Sequence, residues 1–484
     1  MRNLLFAGLV AFTANTGHGQ LVWSVDTSFH TDLQLRSVSD IEFRDDGLLI
    51  SGQFRFTGDP NIYGSALLDY DGHFVAGNAG GGWIIPWSDY LYLGIGAGVR
   101  RMFSDYTVDY SYPGDSPFIS SIHGGQFYVY PDGKVLITGG HDLWSRQDTS
   151  FLGPQYCLVR MDADGLPDST FHHRQCQSGV TQQILRLADG KFLLSGVQNL
   201  YDGQPVGHIL RVEADGTIDA TFQTTVDYGY ATDYYFYPDG RILCAGLFHT
   251  PEMPNDTVQL LRLMPDGSVD PSFNYNLRFQ KFPGYEHPPA TVIGMYLLDS
   301  ATLLIGGAFT NLNDEFVGGI AVIDTSGNIL QDYFPGMGCD SLVFTVGLVP
   351  NLYLGLRDFE MGPDGMLYVY GSFHGFDDGY VNDPDQRLIM RLKQVNVGVE
   401  EQTQTSVAMD VWPNPGDDQL TIKTKGLFQT GRMIVRDVLG RILLDRPYTG
   451  SQIEFDTREW APGVYGLEAR AATSQRTTTK WIKQ

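Results

Sequence analysis

Four cysteines in 484 residues leave little room for a disulfide framework, and no two of them form a Cys-x-x-Cys pair. Neither a zinc knuckle nor a thioredoxin-like redox centre is indicated. Basic residues are also scarce: 32 Lys and Arg against 56 Asp and Glu give a net charge of −24. Such a surface repels phosphates, so nucleic acid is not an expected partner. No apolar run reaches the length of a membrane span, and no helical periodicity is sustained. A P-loop, a dinucleotide fingerprint and a His-Glu-x-x-His motif are all missing. No cofactor and no metal are expected.

What the chain does have is glycine (57), proline (24) and aromatics (13%), the mixture of strands joined by tight turns. The first residues read as an export leader, 1–19. Arg2 supplies the charge, Leu4–Thr13 the short apolar core, and Gly17-His18-Gly19 the small-residue cleavage zone, so the mature chain starts near Gln20. Cys157 and Cys176 flank one hairpin and are a candidate bridge, whereas Cys244 lies inside an apolar strand and is expected in the core.

From there the sequence repeats itself. CLVRMDADGLPDSTF (Cys157–Phe171), HILRVEADGTIDATF (His208–Phe222) and QLLRLMPDGSVDPSF (Gln259–Phe273) are one hairpin in three copies. Asp-Gly between short apolar runs is a strong hairpin signal. Arg160, Arg211 and Arg262 are each followed eight residues later by Asp168, Asp219 and Asp270. A second hairpin type alternates with the first and ends at Gly52, Gly139, Gly196, Gly246, Gly307 and Gly371, which makes six copies. Two hairpins make a four-stranded meander, and meanders that bury their faces against one another predict a β-propeller. Arg391 has no Asp partner downstream, while Val25–Phe29 (VDTSF) has no head, so the N-terminal strand is expected to complete the last blade.

These units resemble the delta-60 repeat family, propeller-like tandem repeats of exported bacterial proteins. The likeness rests on the Arg-Leu/Val/Met start, the Asp-Gly turn and the Asp-x-Ser/Thr-Phe end at Asp26, Asp168, Asp219 and Asp270. It implies an all-β, six-bladed propeller over residues 20–393 and no particular activity. One stretch, about 76–118, breaks the rhythm. It is read as an insertion or, alternatively, as a seventh, divergent blade or a plug. It holds Trp83, Trp87, Tyr90, Tyr92, Tyr106, Tyr110 and Tyr112 together with Arg100 and Arg101. Long insertions often carry binding.

Residues 394–410 read as a polar linker, and 411–484 as a separate small domain of alternating strands. This tail resembles the type A sorting domain of the type IX secretion system of Bacteroidetes-like bacteria. The residues that carry the likeness are Trp412-Pro413-Asn414-Pro415, the run Asp437–Arg441 with Gly440, the turn Ala461–Tyr465 with Gly463 and Tyr465, and the closing Lys480–Lys483. The resemblance implies an immunoglobulin-like sandwich, recognition by the type IX machinery, and a mature protein outside the cell or on the outer-membrane surface.

The candidate chemistry is sparse. The Asp-x-Asp-Gly runs at Asp69–Gly72 and Asp162–Gly165 invite a calcium reading but lack the further ligands, and they suit tight turns. Residues three past each strand-ending glycine (Arg55, Asp142, Asn199, His249, Thr310 and His374) are expected at one level on one face. The expected function is a non-catalytic binding or scaffold module for a glycan or surface protein. Its candidate ligand residues are Trp83, Trp87, Tyr90, Tyr92, Arg100, Arg101, Arg55, His249 and His374. The alternatives are a polysaccharide hydrolase or lyase working in the funnel, and a purely structural coat component.

Overall fold

The computed structural model describes residues 20–483, without 79, 96–97, 113–117, 254–255, 282–288, 331–332, 347–348, 398–408, 424–429, 438–440 and 472–475. The leader expected at 1–19 lies outside the described residues, and the first strand begins at Gln20. Every regular element described is a β-strand, and no helix is long and apolar enough to cross a membrane. One unit runs from Trp23 to Val395 and a second from Asn396 onward.

Turn chemistry explains the repeat. The glycines of the Asp-Gly turns (72, 133, 165, 190, 216, 240, 267 and 365) have φ between 75° and 95°, the left-handed region that glycine enters freely. The strand-ending glycines have a different reason. A Cβ on Gly52, Gly139, Gly196, Gly246, Gly307 or Gly371 would lie 2.2–2.4 Å from a carbonyl oxygen of the adjacent innermost strand. Close backbone approach is what fixes glycine there.

The sheets are antiparallel meanders. The first consists of Leu33–Arg44, Gly47–Phe56, Tyr63–Leu68 and Phe74–Asn78. The second is Ile84–Trp87, Tyr90–Ile95 and Gly98–Phe103, with a bridge from Met102 to Val108 as its outer edge. The third, fourth, fifth and sixth open with Ile119–Val129, Thr181–Arg186, Tyr228–Phe236 and Thr291–Asp299. The last consists of Gly355–Met361, Leu367–Asp377 and Asn382–Val397, with Gln20–Val25 paired onto its outer side. The described residues therefore form seven meanders: six were counted from the repeat, and residues 84–108, read as an insertion or alternatively as a seventh, divergent blade, form the other. Contacts between successive meanders run in order from the first to the last and return from Gly355–Met361 to Leu33–Arg44. The row closes.

Successive meanders are stapled by one repeated device. Arg Nε donates to Asp Oδ2 at 2.6–2.9 Å in Arg101–Asp109, Arg160–Asp168, Arg211–Asp219, Arg262–Asp270 and Arg391–Asp26. The other carboxylate oxygen accepts the backbone N–H of Ser111, Thr170, Thr221, Ser272 or Ser28 at 2.9–3.2 Å, and their hydroxyls as well. The guanidinium lies 4.6–5.1 Å above the ring of the next aromatic residue: Tyr112, Phe171, Phe222, Phe273 or Phe29. Those rings are buried in the cores of the following meanders. A second cation joins most clasps: Lys134, Lys191, Arg241 or Lys393.

The clasp between Arg391 and Asp26 bridges the two ends of the unit. Asp26 N–H donates to the Arg391 carbonyl at 2.7 Å, and Asp378 accepts from Ser24 Oγ and Val25 N–H at 2.7 and 2.8 Å. The expected ring closure by the N-terminal strand is thus present. Cys157 and Cys176 form a disulfide, while Cys244 and Cys339 are buried thiols.

The second unit has two sheets. Asp410–Trp412, Gln419–Lys423 and Gln452–Asp456 make one, and Thr430–Asp437, Ile442–Thr449, Gly463–Ala471 and Arg476–Lys483 make the other. Leu420, Ile422, Met433, Val435, Phe455, Leu467 and Trp481 fill the space between them. The linker differs from its expected span: the strand Asn382–Val397 runs past Gln394, and 398–408 lie outside the described residues.

Two outcomes follow from the clasps. Asp26 is 2% exposed, so Asp26→Ala strands buried Arg391 and should cost about 3–5 kcal/mol. Denaturant unfolding of the full chain measures this, and a loss below about 1 kcal/mol would show that backbone pairing alone closes the ring. The clasp carboxyls also set an acid limit. Burial raises the Asp26 carboxyl, but bonds from Ser28, Lys393 and Arg391 outweigh it and hold the group far below its usual range. Asp270 is likewise held at about 2 by Ser272 and Arg241 against burial. A depressed folded-state pKa gives stability that is present above the unfolded value of about 4 and lost as pH falls through the folded one. The melting temperature should therefore drop between about pH 4 and pH 2, and drop less in Asp26→Asn.

Candidate functional site

The innermost strands frame a central channel. Asp40 and Asp233 stand at bulges of these strands, and each spends its carboxylate on backbone. Asp40 accepts from Ile41 N–H at 3.1 Å and from Ile84 N–H of the next meander at 2.7 Å. Asp233 accepts from Tyr234 N–H at 2.8 Å and Met295 N–H at 2.7 Å. Among these groups lies a cavity of about 30 Å³ lined by residues that include Asp40, Trp83, Gln126, Thr232, Ile293 and Arg357. It has room for a water or two. The Arg357 guanidinium stands 5.7 Å from the Trp83 ring, joining the last meander to the second past the first.

Of the aromatic residues between 76 and 118, Trp83 is the one that lines this cavity. Tyr92 is fully buried and sits edge-on to Tyr112 at 5.6 Å. Trp87 packs against Gly133 of the third meander and donates to the Pro131 carbonyl at 3.3 Å. Arg101 is clasped by Asp109, covered by Tyr90 at 4.5 Å, and donates to the Ala163 carbonyl at 3.1 Å. Arg100 lies against Gly80. Tyr92, Trp87, Tyr90 and Arg101 therefore sit in the seam between the second and third meanders, Tyr92 fully buried and Trp87 and Tyr90 partly so. The reason is the hairpin itself: alternating residues of a strand point into the seam.

Of the six polar residues past the strand-ending glycines, Arg55, Asp142, His249 and His374 lie towards the ends of strands and Asn199 and Thr310 in connections, on the side opposite the Asp-Gly turns. Most serve their own surroundings. Asp142 accepts from Gln155 N–H at 3.3 Å, Asn199 donates to the Ser178 carbonyl at 3.0 Å, and Thr310 to the Gln280 carbonyl at 3.2 Å. His249 Nδ1 is 2.6 Å from Asp227 Oδ1. His374 is half-buried, and burial followed by the nearby Arg387 pushes it down to about 4. The two histidines belong to the fifth and last meanders, with the sixth between them. Arg55 opens instead onto a cavity of about 420 Å³.

At Asp69 the carboxylate accepts from Asp71 N–H at 3.0 Å and His73 N–H at 2.8 Å, and Oδ2 lies 3.1 Å from His73 Nδ1. Asp162 likewise accepts from Asp164 and Leu166 N–H. Both carboxylates fasten turns. Sequence reasoning missed Glu42, which burial and then Asp40 push up to about 7. No motif surrounds it, and only the neighbouring Asp40 hinted at the shift.

In the tail, Trp412–Pro413 and Asn414–Pro415 are cis. Asn414 accepts from Ile482 N–H at 2.9 Å and donates to the Lys480 carbonyl at 3.0 Å, and Trp481 donates to the Pro413 carbonyl at 2.7 Å. Buried Lys483 donates to the Thr457 carbonyl, and Trp460 and Tyr465 flank Trp481. The two quoted motifs are thus one lock between the ends of the unit. Gly463 opens a strand, and Gly440 lies outside the described residues.

The molecule is a β-propeller with a C-terminal two-sheet unit. Residues 410–484 match the secretion system C-terminal sorting domain (Por type), and 187–222 and 238–273, in the fourth and fifth meanders, match a β-propeller domain of unknown function (DUF5122). The chain is a propeller protein carrying the sorting tail of type IX cargo, a mark of export to the cell surface or beyond. Similar solved structures include PorZ, a surface component of the type IX secretion system of Porphyromonas gingivalis. It is 11% identical, with 92% of this chain and 70% of that one covered and a TM-score of 0.30. The extracellular domain of a two-component system from B. thetaiotaomicron is 10% identical over 97% and 59%, with a TM-score of 0.33. An exported protein of Bacteroides fragilis is 12% identical over 76% and 97%, with a TM-score of 0.27. Likeness at this level carries no argument about activity. No curated protein matches in sequence.

Proposed function

We infer that the protein is exported with its leader removed near Gln20, and that its propeller is a non-catalytic binding or scaffold module for a glycan or a surface protein. The tail from about Val411 serves as the secretion address. The sorting-domain match carries this reading, because a chain addressed to the outside meets glycans and surface proteins. In the channel Asp40 and Asp233 are spent on backbone N–H groups, which favours the non-catalytic part, and Glu42, pushed up to about 7, is the carboxyl left to the enzyme alternative. Trp83 is only partly buried, so its exposed part offers an aromatic surface next to Arg357, outside the small cavity, for stacking on a sugar or anchoring a protein loop.

Removal of residues 411–484 should leave the propeller folded but retained in the periplasm. Surface proteolysis and fractionation of the producing bacterium measure this, and undiminished surface display would refute the address. On a glycan and surface-protein array, Trp83→Ala should weaken binding about tenfold or more. Trp87→Ala should lower the melting temperature and leave binding intact. Equal binding by wild type and Trp83→Ala would move the site away from the channel.

A further inference from the structure

The first meander departs from the clasp rule on its outer rim. Clasped meanders carry Arg five residues before and Asp three residues after the outer-turn position; around Gly72 those places hold Leu67 and Val75. The sixth meander also lacks the charges, with Val322 and Leu330, but there Leu330 packs against the core. In the first, Val75 is 54% exposed, Phe74 43% and Ile62 57%. Apolar groups left outside at a break in a repeat point to recognition rather than packing.

The cavity of about 420 Å³ is on this same meander, lined by Gln34, Arg55, Thr57, Gly58, Asp59 and Pro60. Its volume lies in the range of small-ligand sites. The Tyr63 hydroxyl, donating to Asp59 Oδ2 at 2.7 Å, ties its wall to an aromatic cluster in which Phe74 lies 4.4 Å from Phe56 and 5.5 Å from Tyr63. Arg55 is exposed and makes no ion pair among the described residues, although the chain carries −24. Gln34 donates to the Thr57 hydroxyl at 3.1 Å. Leu35, beside it, has φ +68°, a left-handed backbone that costs a branched side chain energy and recurs at ligand clamps.

We propose that this pocket binds a sugar acid, a pyranose bearing a carboxylate. The Arg55 fork pairs with the carboxylate, and Gln34 and Thr57 serve ring hydroxyls. The surrounding negative charge favours a short saccharide or a chain end over a long polyanion, which the rest of the surface repels. This rests on the binding-module reading and gives it a ligand class.

The test is calorimetric titration of the full chain with a galacturonic acid trisaccharide and, in parallel, with the neutral galactose trisaccharide. Saturable binding of the acid is expected, about tenfold or more tighter than the neutral sugar and weakened by added salt. Arg55→Ala should lose about tenfold or more, with part regained in Arg55→Lys. Arg55 is exposed, so unchanged melting temperatures verify folding. Absence of acid binding, or acid binding indifferent to Arg55→Ala, overturns the proposal. Neutral-glycan or protein binding that depends on Trp83 and ignores Arg55→Ala also overturns it, and leaves the binding-module reading standing.

Discussion

The ring depends on an ion pair made by residues at opposite ends of one unit. Arg391 and Asp26 are 365 positions apart, and until they meet the last meander has an unpaired outer edge. Edges of that kind recruit other chains. Desolvating the pair is expensive, and its attraction is strong only if every lone pair and proton finds a partner. Here they do. Asp26 receives bonds from Arg391, Lys393 and Ser28, while Arg391 also lies over Phe29 and donates to the Tyr70 carbonyl of the first meander at 3.1 Å. One side chain therefore joins the closing strand, the closing meander and the next one.

The sixth meander shows what the charges add. Val322 and Leu330 replace Arg and Asp there, yet Leu330 N–H still donates to the Val322 carbonyl at 2.9 Å, as Asp270 N–H does to Arg262 at 2.8 Å. The backbone bond sets the turn and can be covered by apolar packing. What the clasp adds is selectivity of register: a strand slipped by one residue leaves a buried arginine without its acid. That matters most at the closing strand, where no covalent turn fixes the register.

The same physics decides how much was legible from sequence. Asp-Gly turns, strand-ending glycines and the Arg-to-Asp spacing of eight are local constraints, and they revealed the propeller and its closure. The second meander stood only as an alternative to an insertion because its turns are written in other residues. Its outer turn is Asp105-Tyr106, with Tyr106 at φ +66° where glycine is the rule, and its first hairpin turns at Ser88 with φ +52°. The signal was nonetheless present. Arg101 and Asp109 keep the spacing of eight, and Ser111-Tyr112 completes the clasp. The aromatics were misread because composition cannot tell a ring in a seam from a ring in a loop: Tyr92 is fully buried, whereas Tyr110, two residues before Tyr112, is 91% exposed. The polar circle failed for a related reason. A shared register places residues on one side without making them face one another, and Asp142, Asn199, His249 and Thr310 each bond a group of their own surroundings.

A propeller built from near-identical clasps has little freedom in those positions, because each Arg, Asp and aromatic residue is committed to joining neighbours. Side chains not committed in this way sit where the repeat is not obeyed. Two such places stand out. In the second meander the divergent hairpins bring Trp83 to the channel, where Arg357 covers it. In the first, where the clasp is missing, Phe74 and Val75 are exposed and Arg55 opens onto the larger cavity. These meanders are neighbours, joined by Asp40 to Ile84 N–H and by Ser51 to the Gly82 backbone. Regularity over most of the ring supplies rigidity, and the irregular pair of meanders beside the closure carries the surface that rigidity holds in place.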